Sequence, residues 1–119
     1  MPKRLTSAQQ AAYHRDGYVA PIDIFDADEV AAIRSALEAA EADHGEVMQG
    51  PGRNNAHYVL PVLDSIAHDS RILDAVEDLI GPDINVAGTT LFIKEPETKG
   101  FISWHPVSYT HLTLPTSYA

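Results

Sequence analysis

Residues 90–105 read TLFIKEPETKGFISWH, and how this stretch is taken decides the fold. Thr90, Phe92 and Lys94 fall on one side of an extended chain and Leu91 and Ile93 on the other, the period-2 pattern of a strand. The run EPETKG (95–100) supplies a turn, and FISWH (101–105) reads as a second short strand. The β-rich character begins at Ile84, in INVAGTTLFIKEP (84–96).

Before Ile84 the period is helical. DSRILDAVEDLIGPD (69–83) places Ile72, Leu73, Val76, Leu79 and Ile80 on one inward face, and Gly81-Pro82 stops it. GEVMQGPGRNNAHYVLP (45–61) is glycine-rich and reads as an irregular loop. DADEVAAIRSALEAAEADHG (26–45) is the clearest helix, capped by Asp26 and ended by Gly45, with a stripe of Val30, Ile33, Leu37 and Ala40. Its acids Glu38, Glu41 and Asp43 solvate the other face. LTSAQQAAYHRDGY (5–18) opens as a short helix, with Ser7 and Gln10 at capping-box spacing and Gly17 as its left-handed end. The expected class is α+β, N-terminal helices followed by the first strands of a sheet. Two strands alone leave an unpaired edge and a half-covered apolar face, so this sheet calls for more strands.

Composition narrows the function classes. A chain of 119 residues makes one small domain. Eight Lys+Arg against seventeen Asp+Glu give a net charge of −9, which repels nucleic acid and anionic membrane surfaces. The absence of cysteine excludes disulfides and thiol catalysis. MPKRLTSAQQ has no apolar run behind its basic residues and is not a secretory signal, and no apolar stretch is long enough for a membrane span. The expectation is a cytoplasmic protein.

The chemistry-bearing residues are histidines and one lysine. A strand ending in His-x-Asp presents an imidazole and a carboxylate to one ferrous ion, and a distant second histidine completes a facial triad. Here His105 stands at such a strand end, but position 107 is valine. Read alone, His105 is also compatible with a surface or core histidine. Lys94 fits either an ammonium facing an anionic ligand or an edge-strand charge that discourages aggregation. Phe92 and Thr90 share its face and are expected in the core, and Trp104 is expected to pack on the side opposite His105. His57 is read as a solvated loop histidine, with approach to a ligand pocket as the alternative. His14, His44 and His68 are read as surface residues. A zinc cluster of His57, His105 and His111 has no support from their spacing.

LTSAQQAAYHRDGYVAPIDIF (5–25), LDAVEDLIGPDI (73–84), TLFIKEP (90–96) and GFISWH (100–105), in this order, resemble the N-terminal half of the phytanoyl-CoA dioxygenase family. The resemblance implies a non-haem iron(II)- and 2-oxoglutarate-dependent oxygenase on a double-stranded β-helix, a jelly-roll-like barrel truncated here after its first strands. It implies that His105 is the first metal ligand, of the family's WHxD motif, and that Lys94 binds the 2-oxoglutarate carboxylate. It further implies dioxygen and a small-molecule substrate as partners, with Fe(II) and 2-oxoglutarate as cofactors of the intact enzyme. The family pattern asks for aspartate at position 107.

Downstream of that position VSYTHLTLPT (107–116) matches the translation GTC TCT TAT ACA CAT CTG ACG CTG CCG ACG of a sequencing adapter. The expected organisation is residues 1–106 as the N-terminal part of a single oxygenase domain and 107–119 as a non-native tail. A chain with one of three iron ligands is expected to be inactive itself. The competing readings are a small acidic helical interaction module, binding a basic partner through residues 26–43 without catalysis, and a small cupin-type barrel.

Overall fold

The computed structural model describes residues 2–101 together with Ser103 and Trp104. Most of them lie in α1 (Ser7–Asp16), α2 (Ala27–Gln49), α3 (Pro61–Ala67) and α4 (Ser70–Ile80), with 3-10 turns at Pro51–Arg53 and Ala56–Tyr58. α1 packs on α4, and α3 on both α2 and α4.

Side chains start these helices where the sequence placed polar caps. Thr6 begins α1: its hydroxyl accepts the Gln9 N–H at 3.1 Å, and Gln9 Oε1 accepts the Thr6 N–H at 2.8 Å. The box therefore sits one residue before the expected Ser7–Gln10 pair. Gly17 ends α1 at φ +83°, a conformation open to glycine, and its N–H donates to the Tyr13 carbonyl at 2.8 Å. Asp26 caps α2 as expected, accepting the Glu29 N–H at 2.8 Å while Glu29 Oε1 accepts the Asp26 N–H at 3.2 Å.

Gly45 does not end α2. The helix bends at His44 (φ −137°, ψ 27°) and continues to Gln49, so the expected loop 45–61 begins with a helical turn. An interior glycine costs roughly 0.5–1 kcal/mol relative to alanine, and the added turn carries Met48 into the core, where it is 5% exposed. Pro61, at the first turn of α3, explains a helix that the sequence pattern did not announce: there its missing N–H and fixed φ are no handicap. In α4, Ile72, Leu73, Val76 and Leu79 are half-buried and Ala75 is buried, but Ile80 is 62% exposed and does not face inward.

Two polar clasps hold the helices. The Asp78 carboxylate accepts the backbone N–H groups of Lys3 (2.7 Å), Arg4 (2.8 Å) and Leu5 (2.8 Å), pinning the N-terminal segment to α4 and burying Leu5. Arg71 forms a fork with Glu29 (2.9 and 2.6 Å) and reaches Asp69 at 3.0 and 2.9 Å, joining the start of α4 to the start of α2. The guanidinium also lies 5.0 Å over the Phe25 ring. Hydrogen bonds from Arg71 hold both carboxyls down to pKa values of about 2, and the two acids raise that of Arg71.

No strand forms among the described residues; the first expected strand, from Thr90, is therefore absent, and the second, 101–105, lies partly outside them. Residues 84–95 form no helix, and around Thr90 the chain runs extended through one antiparallel bridge to Asn54. An isolated pair of strands is marginal in water, and alternation becomes a sheet only when a neighbour takes up the ladder. The α half of the α+β expectation stands, while a truncated barrel does not appear. The apolar interior is correspondingly thin: Leu5, Met48, Ala56 and Ala75 are the buried apolar residues described.

Candidate functional site

The region beyond α2 is built by a turn that only glycine permits. A Cβ on Gly52 would stand 2.5 Å from Val47 Cγ1 and 2.8 Å from the Val47 carbonyl oxygen, so the chain folds back tightly on the end of α2. Arg53 closes this turn. Asn54 makes the bridge, and Asn55 takes the left-handed conformation (φ +56°) that asparagine tolerates.

The loop is then fastened to the extended segment. Leu91 N–H donates to the Arg53 carbonyl at 2.8 Å and Asn55 N–H to the Thr89 carbonyl at 2.8 Å. Thr89 N–H donates back to Asn55 Oδ1 at 3.2 Å, and Thr90 Oγ1 donates to Asn54 Oδ1 at 3.3 Å. His57 completes the contact, with Nδ1 2.7 Å from Thr89 Oγ1. Only 8% exposed, His57 is a buried loop pin and not the solvated histidine expected.

This fastening shapes a cavity of about 430 Å³ between the end of α2 and residues 91–101. Lys94 and Arg53 both line it, with Gln49, Glu95, Thr98 and Phe101 among the other wall residues. The Glu95 carboxylate accepts from Gln49 Nε2 at 3.4 Å, and the Glu95 carbonyl accepts from Thr98 Oγ1 at 3.0 Å within the turn expected at 95–100. Among the described residues neither the Arg53 guanidinium nor the Lys94 ammonium has an ion pair or side-chain hydrogen bond, whereas Lys3, Arg15, Arg34 and Arg71 each pair with a carboxylate.

Alternation along the extended segment survives without a sheet. Leu91 and Ile93 meet Val30, Ile33, Leu37 and Met48 around an apolar cavity of about 260 Å³, while Phe92 and Lys94 line only the first one. Phe92 is 73% exposed and Thr90 is also exposed, which corrects their expected place in the core. Trp104 is fully exposed and not packed against the described residues, a further correction.

The expected metal ligand His105 lies outside the described residues. Among the described residues no group of three His, Cys, Asp or Glu side chains could hold a metal, and Val107 offers no donor atom. The described residues by themselves therefore form no iron site, whereas an anionic ligand fits the two cations that have no partner among them. Sequence reasoning named Lys94 and overlooked Arg53; a lone arginine in a glycine-rich loop of an acidic chain was the signal available. No helix among the described residues is long and apolar enough to cross a membrane.

Comparison with known proteins agrees with the sequence resemblance. The chain is 31% identical, over 120 aligned positions, to a protein named ectoine dioxygenase from Sphingopyxis alaskensis, covering 85% of this chain and 39% of the relative. Proteins of that name from Bordetella parapertussis and Bordetella bronchiseptica are each 27% identical over the same shares. The chain thus spans about two fifths of the length of these curated relatives, 39% in each case. No solved structure gives a significant match. The family model described as phytanoyl-CoA dioxygenase (PhyH) matches residues 13–116, and the chain belongs to that dioxygenase family.

Proposed function

We propose that residues 1–106 are the N-terminal part of a single iron(II)- and 2-oxoglutarate-dependent dioxygenase domain that hydroxylates a small molecule. In this reading residues 107–119 are a non-native tail, and the extended stretch from Ile84 enters a jelly-roll-like barrel in the intact enzyme. The observation that carries it is Lys94, a cation on the wall of the 430 Å³ cavity with no carboxylate partner among the described residues, in a family named for a dioxygenase. A dianionic cosubstrate supplies the partner that the protein withholds. Lys94 binds and orients that cosubstrate.

His105 would be the first iron ligand of the intact enzyme, and an aspartate in place of Val107 the second. With valine there the 119-residue chain is inactive, because affinity for ferrous iron comes from the assembled set of ligands. Three relatives carry the name ectoine dioxygenase, which makes ectoine the first substrate to try.

The test is to read the gene past codon 106 and assay its full product. Aspartate at position 107, with succinate release that requires iron, 2-oxoglutarate and His105, is the expected result. A gene with no acidic residue there and no such release would sink the reading.

A further inference from the structure

We propose that Arg53 is a second carboxylate-binding residue of the Lys94 cavity, and that His57 is the positioning residue that keeps it there. The inference rests on the reading of that cavity as an anion site and adds to it a residue from outside the barrel strands.

The argument begins with charge. In a chain of net charge −9, a cation ordinarily finds an acid nearby, as Lys3, Arg15, Arg34 and Arg71 do. Arg53, Lys94 and Lys99 are the described Lys and Arg residues without a side-chain partner, and two of these three line one cavity. The carboxylate on the same wall, Glu95, offsets one of the two cations and leaves the wall with a positive balance.

Geometry supplies the second line. The Arg53 carbonyl accepts the Leu91 N–H at 2.8 Å, which brings Arg53 to the segment that carries Lys94. Both side chains line the same cavity, where two long cations can reach one small carboxylate. Guanidinium presents a planar fork that matches a carboxylate in two parallel hydrogen bonds, and lysine cannot reproduce it.

The third line is the fastening. Gly52 forces the turn that delivers Arg53, the bridge at Asn54 and Thr90 fixes its register, and His57 Nδ1 holds Thr89 Oγ1 at 2.7 Å. So many contacts on a short polar loop hold a residue whose guanidinium has no hydrogen-bond or ion-pair partner among the described residues. The carboxylate is that of the cosubstrate or that of the substrate, and the experiment separates these sources.

Titration calorimetry of the whole 119-residue chain, without metal, uses 2-oxoglutarate and then ectoine as probes. Arg53→Ala is expected to weaken one of them by about 10–100-fold, the range for a charge-assisted hydrogen bond, and Arg53→Lys to restore it incompletely. Loss confined to 2-oxoglutarate assigns the cosubstrate; loss confined to ectoine assigns the substrate. Circular dichroism should stay unchanged, because the Arg53 side chain bonds to no described residue. His57→Phe keeps the buried volume without the hydrogen bond and is expected to weaken binding as Arg53→Ala does, while His57→Asn, with a polar atom near Nδ1, is expected to recover it. If Lys94→Ala weakens 2-oxoglutarate binding but Arg53→Ala changes neither probe, the inference is overturned and the dioxygenase reading stands. If His57→Phe binds like the unaltered chain, its positioning role is overturned. If the unaltered chain binds neither probe, the cavity is no anion site, and the inference falls together with the reading beneath it.

Discussion

The Asp78 carboxylate accepts the backbone N–H of Leu5 at 2.8 Å, tying a residue near the start of the chain to the last turn of α4. Lys3 and Arg4 add their N–H groups to the same carboxylate. Burial opposes the charge on Asp78, but these three donors and the Lys3 ammonium outweigh it and hold its pKa below the ordinary value.

Because folding lowers this pKa, the unfolded chain takes up the proton more readily than the folded one. The contribution of the clasp is fully present above about pH 4 and is lost as the pH falls through the lower folded value. Asp78→Asn should therefore make Lys3 and Arg4 sites of rapid tryptic cleavage at neutral pH, where the unaltered chain is cut slowly there. Equal rates would show that the clasp does not hold in solution.

Arg71 keeps Glu29 and Asp69 down to about 2 through its fork of hydrogen bonds. In Arg71→Ala both carboxyls should titrate near the usual carboxylate range of about 4, readable by NMR of the side-chain carbons. In the unaltered chain their stabilising effect is present above about pH 4 and fades toward pH 2, the direction for depressed acids. Both acids keep part of their surface in water, so added salt should weaken the effect.

Gly52→Ala places a methyl within 2.8 Å of the Val47 carbonyl oxygen. The turn must open, at a cost of about 1–3 kcal/mol of the kind seen in overpacked sites. Urea denaturation should register this. Ligand binding through Arg53 should weaken more than the stability loss alone explains.

Met48→Ala is expected to cost about 2 kcal/mol, the low end for a buried methionine, because the apolar cavity beside it is open. Val30→Ala, on the same cavity but more than half exposed, should cost under about 0.5 kcal/mol. Comparable losses at the two positions would mean that α2 and the extended segment are not packed as described.

Local signals were legible in the sequence and distant pairings were not. Asp26, Gly17 and Gly81 mark helix ends by chemistry confined to a few residues, and all three sit where that chemistry put them. Gly45 misled because a weak helix breaker yields when the next turn buries a residue such as Met48. The strands misled for a different reason: alternation from Thr90 to Lys94 states which side chains share a side, and it cannot supply the neighbouring strand. His57 was read as solvated because its partner Thr89 lies 32 residues away. Arg53 was passed over because its distinction, a guanidinium with no ion pair among the described residues, exists only once the other charges have been placed.

Glu29 has two employments with one carboxylate. It closes the first turn of α2 through the Asp26 N–H and grips Arg71 at the head of α4. Nucleation of one helix and docking of another are thereby written into the same two oxygens. The start of α2 should not fray while α4 stays seated, and the two ought to come apart in a single cooperative step.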